Sequence, residues 1–491
     1  MSKLGTVMRF APVLRGSLLI ACGIIAAQSN AQLRLGQWNV SNWNITSLTA
    51  PATLARVNGF RTSIYGTFQG RQFAPDAFMV QEITSAATLA QFVNMLNTAA
   101  GSPGDWAAAP FMDGDDTESC FVYRTSKVVL VAGPILVSLG QTATNGIPPR
   151  NCYRYDFRPV GFNTQHAVMS AYVTHMKAGS TSADQAKRLT EAQRIRADAN
   201  TLVNQGGIII AGDFNTQNSS QAAYQELIGN QVNNVGRFFD PINTPGSWNG
   251  NQAFRYVQTQ DPYDTSGGAG NVGMDDRLDF ILLSSGLVDD DGLSYIGNPN
   301  IPYSTTTWND PNHSYRCWGN DGTSWKFQSG SWKSYGITVT NNEMVGTTIA
   351  QAIIDSTGLQ TAHLPVFCDL RVPPTAQLLS PTIDFGYVSQ GSTATAQIQI
   401  QNTGNTALWT TNGIADLRYT FNTSGNFYGP AGLFSDNIAA GAQTHNININ
   451  TSTSGRKTGT VTISTNDPLN PTLTINCTGV VVAPIGPPVR H

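Results

Sequence analysis

Seven polar residues stand at the ends of strand-like runs: Asn39, Glu82, His175, Asp213, Asn215, Asp279 and His363. Together they contain what phosphate-ester hydrolysis requires, namely a base for water, donors for phosphate oxygens and oxygen ligands for a hard cation. Glu82 with one or more of Asn39, Asp213 and Asp279 would suit Mg²⁺ or Mn²⁺, which bind through one or two carboxylates, water and substrate phosphate. Asp213 could orient or deprotonate the water, while the two histidines and Asn215 donate to the phosphate. Taken singly, each has a plain structural use, since an Asp after a strand commonly caps a turn. Their shared placement carries the reading.

The elements that would position them follow from periodicity. Ala167 to Thr174 and Gly207 to Ala211 read as strands, and the apolar recurrence at Ala186, Leu189, Ala192, Ile195, Ala199 and Leu202 predicts a helix between them, capped by Ser182 or Asp184. In such a βαβ unit, ligands bind beyond the carboxyl ends of parallel strands. That edge is where His175, Asp213 and Asn215 fall. Leu33 to Trp38 runs into Asn39, and Ala77 to Gln81 into Glu82. Asp279 and His363 instead open their runs, so antiparallel strands there would bring all seven to one rim.

The chain has 491 residues, 40% hydrophobic and 12% charged, with 47 Gly, so a globular β-rich protein of two or more domains is expected. Lys3, Arg9 and Arg15 precede an apolar run from Leu18 to Ala27, and Ser29-Asn30-Ala31 offers small residues for cleavage. This predicts a signal peptide over 1–31 and a secreted or periplasmic product. A membrane anchor is the alternative, but the run falls short of the roughly 20 residues a bilayer requires, and no transmembrane segment is expected in the mature chain. Without the three basic residues of that segment, 25 basic face 31 acidic side chains, a balance of −6. Bulk charge therefore does not favour nucleic acid, and a polyanion must be held locally. Among Cys120, Cys152, Cys317, Cys368 and Cys477, a Cys120–Cys152 disulfide and buried free thiols are both open.

The motifs QWNV (37–40), MVQE (79–82), FVYR (121–124), THMKAG (174–179), GDFN (212–215), DRLDFILLS (276–284) and AHLPV (362–366) occur in this order. Residues 33–372 thereby resemble the endonuclease/exonuclease/phosphatase, or DNase I-like, family. The resemblance implies a four-layer α/β sandwich of two packed sheets flanked by helices, a divalent metal and phosphate-ester cleavage. It implies metal binding by Glu82 and Asn39, water activation by Asp213, phosphate contact by Asn215 and His175, and an Asp279 that pairs with His363. One position departs: the family's Ser-Asp-His is here Thr361-Ala362-His363, from which a weaker or rearranged metal site is expected. Lys177 is a further candidate for substrate phosphate.

The chain divides near Pro373-Pro374, giving a catalytic domain over 32–373, an all-β sandwich over 374–481 and a tail over 482–491. FGYVSQGSTATAQIQIQNTGNTAL (385–408) and GTVTISTNDPLNPTLTINCTG (459–479) resemble immunoglobulin-like modules of the ASPM/SPD-2/Hydin and choice-of-anchor D type, which implies a spacer or adhesion role. Asp113-Gly114-Asp115-Asp116 and Asp289-Asp290-Asp291-Gly292 could hold Ca²⁺ as a structural ion, yet neither follows an EF-hand loop, and solvated loops are the plainer reading. Trp308, Trp318, Trp325 and Trp332 either pack a long insertion or stack on bases. The expected activity is a metal-dependent nuclease acting on DNA or RNA. A sphingomyelinase-like phospholipid phosphodiesterase, a sugar-phosphate phosphatase and a non-catalytic adhesion protein are the alternatives.

Overall fold

The computed structural model describes residues 32–114, 116–140, 150–203, 205–263, 273–357 and 362–484. The expected signal peptide, Asp115, Thr361 and most of the tail lie outside them. The first part of the chain runs through β1 (Leu33–Trp43), α1 (Leu54–Tyr65), β2 (Ala77–Ile83), α2 (Ala86–Thr98), β3 (Trp106–Ala108), β4 (Glu118–Arg124), β5 (Val128–Ser138), β6 (Cys152–Pro159), β7 (Met169–His175), α3 (Ser182–Ala199) and β8 (Gly207–Asp213). It continues with α4 (Ala222–Ile228), β9 (Phe238–Phe239), β10 (Asp279–Ser284), β11 (Ser294–Tyr295), β12 (Arg316–Cys317), the hairpin β13 (Trp325–Gln328) and β14 (Ser331–Ser334), α5 (Gly346–Thr357) and β15 (Val366–Arg371).

Two sheets form, ordered β11-β15-β1-β2-β4-β3 with β12 on β15, and β5-β6-β7-β8-β10-β9. Strand β1 is parallel to β2 and antiparallel to β15, while β7 is parallel to β8, itself antiparallel to β10. The expected polarity is therefore the one observed. Because side chains alternate across a strand, each sheet has an inner face. Leu33, Leu35, Met79, Ala171, Val173, Ile209, Ala211, Ile281 and Leu283 fill the space between the sheets. Trp38, Val40, Phe78 and Val80 face outward onto Phe60, Phe92 and Ile353 of α1, α2 and α5. Tyr172, Ile208, Ile210 and Phe280 face α3 and α4 through Ala192, Ile195, Tyr224 and Leu227. Helix, sheet, sheet and helix make the four layers.

Two local expectations are corrected, and for the cysteines one of the two open alternatives is found. Thr181, not Ser182, caps α3: its hydroxyl accepts from the Asp184 amide, and the Asp184 side chain returns the bond, so the capping box begins one residue earlier. Strand β7 starts at Met169 because residues 165–167 form a 3₁₀ turn. Cys120 and Cys152 are both free and buried. They sit on the outer faces of different sheets, Cys120 in the core shared with α1, α2 and α5 and Cys152 in the core shared with α3 and α4, so two sheets about 10 Å apart stand between their side chains.

Nine strands between Ala376 and Val482 build a second sandwich of a four-stranded and a five-stranded sheet around Ile398, Ile400, Tyr419, Ile447, Val461 and Ile475. It is docked on the first unit. Trp409, 1% exposed, enters the core between the first two sheets with Ile414, and the Lys127 ammonium lies 4.3 Å from its ring centroid. Asp290, from one of the acidic runs, pairs with Arg371 and with Arg418 of the sandwich, and Asn466 donates to Asp291. That run is a clasp between the units.

Truncating Trp409 to Ala should cost about 3–5 kcal/mol by cavity formation, read by chemical denaturation; a change below 1 kcal/mol would deny the docking. A second prediction concerns Glu191 on α3, which is fully buried against the Thr174 hydroxyl. Burial raises its carboxyl from 4.5 to about 7, partly opposed by the Thr174 bond, so ionising it in the fold costs about 3 kcal/mol. A raised acid loses folded stability as pH climbs from the unfolded to the folded value. Glu191→Gln should therefore gain melting temperature over the wild type progressively between pH 4.5 and 7; a gap independent of pH would contradict it.

Candidate active site

The inner face between the sheets turns polar at one end. Along β1 the inward residues are Leu33 and Leu35, then Gln37 and Asn39; along β2, Met79 and then Gln81; along β7, Ala171 and Val173, then His175; along β8, Ile209 and Ala211, then Asp213. Strand β10 reads the other way, Asp279 first and then Ile281 and Leu283. Register pairs Asn39 with Gln81, His175 with Asp213 and Asp213 with Asp279, which fixes the polar residues at one level.

Glu82 lies out of this parity, and its backbone explains how it reaches the site. It adopts φ 67° at a register break in β2. Its Oε1 accepts from Asn39 Nδ2 at 2.9 Å and its Oε2 from the Asn42 amide at 2.7 Å. Asn215 follows Asp213 in the same left-handed region, φ 51°, with its amide on Asp213 Oδ1 at 3.0 Å and its Nδ2 on the Met176 carbonyl at 3.1 Å. The glycine of GDFN is dictated by packing: a Cβ on Gly212 would collide with the Thr174 carbonyl oxygen on β7.

Asp213 is the hub. Its Oδ2 is 3.3 Å from His175 Nε2, 3.6 Å from His363 Nε2 and accepts from Asn39 Nδ2 at 3.2 Å. His363 Nδ1 meets Asp279 Oδ2 at 2.7 Å. Asp279 in turn accepts from the Thr259 hydroxyl at 2.6 Å and from Gln37 Nε2 at 3.0 Å, and Trp38 Nε1 holds the His363 carbonyl at 2.8 Å. Burial alone would deprotonate His363, but Asp279 and then Asp213 overcome it and raise the imidazolium to about 10. His175, buried and near the positive Arg150 and His363, is pushed well below its ordinary value and is neutral. Burial, with Asp279 and Glu82, lifts Asp213 to about 7 against the opposing pull of His363 and the Asn39 bond. One rim thus holds a cationic imidazole, a neutral imidazole and a carboxylate of raised basicity.

All seven strand-end residues meet here. Asn39 donates its amide to both Glu82 and Asp213 while its Oδ1 accepts from the Ser41 amide at 3.0 Å. The Lys177 ammonium turns onto Asp184, 3.3 Å away, and the Ala178 carbonyl. The structure does not bring it to the rim. Gln37, Gln81, Thr259 and Gln260 complete the site and escaped the sequence reading. The first two were accessible by parity, as polar residues at inward positions of buried strands. Thr259 and Gln260 sit in a long irregular segment with no periodic signal. Trp308, Trp318 and Trp325 are buried, as packing of the insertion requires; Trp332 is 48% exposed and meets Phe327 edge-on.

Residues 36–325 match the Endonuclease/Exonuclease/phosphatase family. The chain belongs to that family. It is a phosphoric ester hydrolase, and enzymes of this family use divalent metals such as Mg²⁺. No curated protein sequence matches the chain. Among solved structures, the chain is similar to an endonuclease/exonuclease/phosphatase from Beutenbergia cavernae DSM 12333 (12% identity, 91% of this chain and 99% of that one, TM-score 0.32). It is also similar to a humanized TDP2 of D. rerio (14% identity, 70% and 100%, TM-score 0.38). A third is a PapD-like domain of human CEP192 (14% identity, 22% and 87%, TM-score 0.18).

The donor set accommodates the family's metal. Glu82 and Asp213 converge through Asn39, and among the described residues no three His, Cys, Asp or Glu side chains form a cage. Such a sparse oxygen set suits an ion that keeps most ligands as water and phosphate oxygen. Ala362 is buried, and its amide donates to the Asp261 carboxylate at 3.4 Å.

Removing one partner of a buried ion pair strands the other. Asp279→Asn should therefore destabilise the fold by about 3–5 kcal/mol in urea denaturation, and an unchanged midpoint would show that His363 is not held as a cation.

Proposed function

We propose that the protein is an exported, divalent-metal-dependent phosphodiesterase, a nuclease hydrolysing DNA or RNA. The observation that carries this is the Asp213 carboxylate, whose Oδ2 lies 3.3 Å and 3.6 Å from two imidazoles of opposite protonation. Asp213, raised in basicity by burial, takes the proton from the attacking water; as the new P–O bond forms, the P–O bond to the leaving oxygen breaks, and that oxygen takes up a proton from solvent. The His363 imidazolium, held by Asp279, donates to a non-bridging phosphate oxygen, where negative charge grows in the transition state. His175 uses its neutral ring, and Asn215 its second amide hydrogen, to orient the same phosphate. A cation at Glu82 would supply neutralisation of phosphate charge and a template for substrate.

Local charge supports a polyanionic substrate despite the acidic balance. Arg56 braces the Asn39–Asn42 turn through the carbonyls of Val40, Ser41 and Asn42, with Glu82 favouring its charged form against burial; Arg150 acts on His175. Arg188 fixes the loop after His175 by donating to the Lys177 and Gly179 carbonyls. Lys177 reaches substrate in this reading only by leaving Asp184. Export rests on the charged and apolar run of residues 1–31, and a spacer role for the C-terminal sandwich on its sequence likeness.

Mature protein should cleave plasmid DNA, single-stranded DNA or RNA with Mg²⁺ or Mn²⁺ and lose activity in EDTA. His175→Ala and Asp213→Asn should each lower kcat by about 10²–10⁴. Hydrolysis of sphingomyelin alone would replace nucleic acid by phospholipid as the substrate; no hydrolysis with either metal would refute the enzyme reading.

A further inference from the structure

Beyond the phosphate-handling residues, the backbone carries the rim one step further. Gln260 pairs antiparallel with His363 on one side and with Asp276 on the other. Directly paired residues of antiparallel strands project to the same face, so Asp276 shares the face of Gln260 and His363. The side chains bear this out: Gln260 Nε2 lies 3.4 Å from His363 Nε2, and the His363 charge opposes the rise that burial imposes on the Asp276 carboxyl.

Asp276 is 8% exposed, and only one of its oxygens is used. Asn249 Nδ2 donates to Oδ2 at 2.9 Å, whereas Oδ1 is buried without a hydrogen-bond partner. Leaving a buried carboxylate oxygen unpaired is costly, and placing it beside a phosphate site adds repulsion. Both penalties fall away when the carboxylate turns to meet a substrate donor. In a nucleic acid the donor closest to a backbone phosphate is the ribose 2′-hydroxyl, which is also the group that distinguishes RNA from DNA.

We propose that Asp276, oriented by Asn249 and adjoining Gln260, accepts a hydrogen bond from a sugar hydroxyl next to the scissile phosphate, so that the enzyme selects ribose over 2′-deoxyribose. The inference rests on the nuclease reading above. Asp276 is a specificity residue in it and moves no proton.

The test uses the full mature chain with Mg²⁺ or Mn²⁺ and single-stranded RNA and DNA oligonucleotides of identical sequence. Wild type should show kcat/KM for RNA at least about tenfold above that for DNA, the worth of a hydrogen bond to a charged group. Asp276→Ala should abolish the preference by lowering RNA cleavage to the level of DNA cleavage. Asp276→Asn, which keeps the shape without the charge, should reduce it partway and decides the matter if the Ala variant does not fold. Equal cleavage of RNA and DNA by wild type, or a preference that survives both substitutions, overturns the subsite and leaves the nuclease reading intact. Cleavage of neither polymer overturns the nuclease reading, and the subsite with it.

Discussion

The contact between His363 and Asp279, 2.7 Å long and buried on both sides, is the constraint around which the site is arranged. A cation in such a place is stable only while its counter-charges are held rigidly. That requirement explains the surrounding investment. Gln37 and Thr259 saturate Asp279, Trp38 fixes the His363 carbonyl, and the Asp213–Asp279 register of β8 and β10 places the second carboxylate on the far ring nitrogen. The histidine can then keep its proton and its positive charge at the rim. The same charge stabilises Asp213 as a carboxylate against burial.

Much of this was legible in the chain itself because strand ends are marked by a change in residue type. The parallel pairs β1–β2 and β7–β8 place successive carboxyl ends together, and Asp279 at the start of β10 and His363, three residues before β15 in an isolated bridge with Gln260, complete the rim. What escaped was whatever the strand pattern does not encode. That the Asn39 amide bridges two carboxylates is visible only in the hydrogen bonds. Glu82 reaches the rim through a left-handed residue, which no alternation rule anticipates. Thr259, Gln260 and Asp276 arrive from an irregular segment whose contacts depend on tertiary placement. The cysteines show the converse limit: Cys120 and Cys152 lie near one another in sequence, yet on opposite outer faces.

The C-terminal sandwich is bound to the hydrolase unit by packing as well as by charge. Trp409 is enclosed in the core between the hydrolase sheets, and Val372 pairs with Ile414 across the junction. Exposed pairs such as Asp290 with Arg371 and Arg418 add little stability alone, so the buried Trp carries most of the docking. The acidic run is thereby explained by contacts within the chain.

The protonation state of His363 is the physical premise shared by the site's geometry and its chemistry. It is measured directly by the ¹⁵N shifts of the ring nitrogens in the mature protein at pH 8, with His363 assigned through its loss in His363→Gln. Both nitrogens should report the protonated imidazolium form, since Asp279 and Asp213 raise the group to about 10. A spectrum with one protonated and one bare nitrogen at that pH would contradict the account.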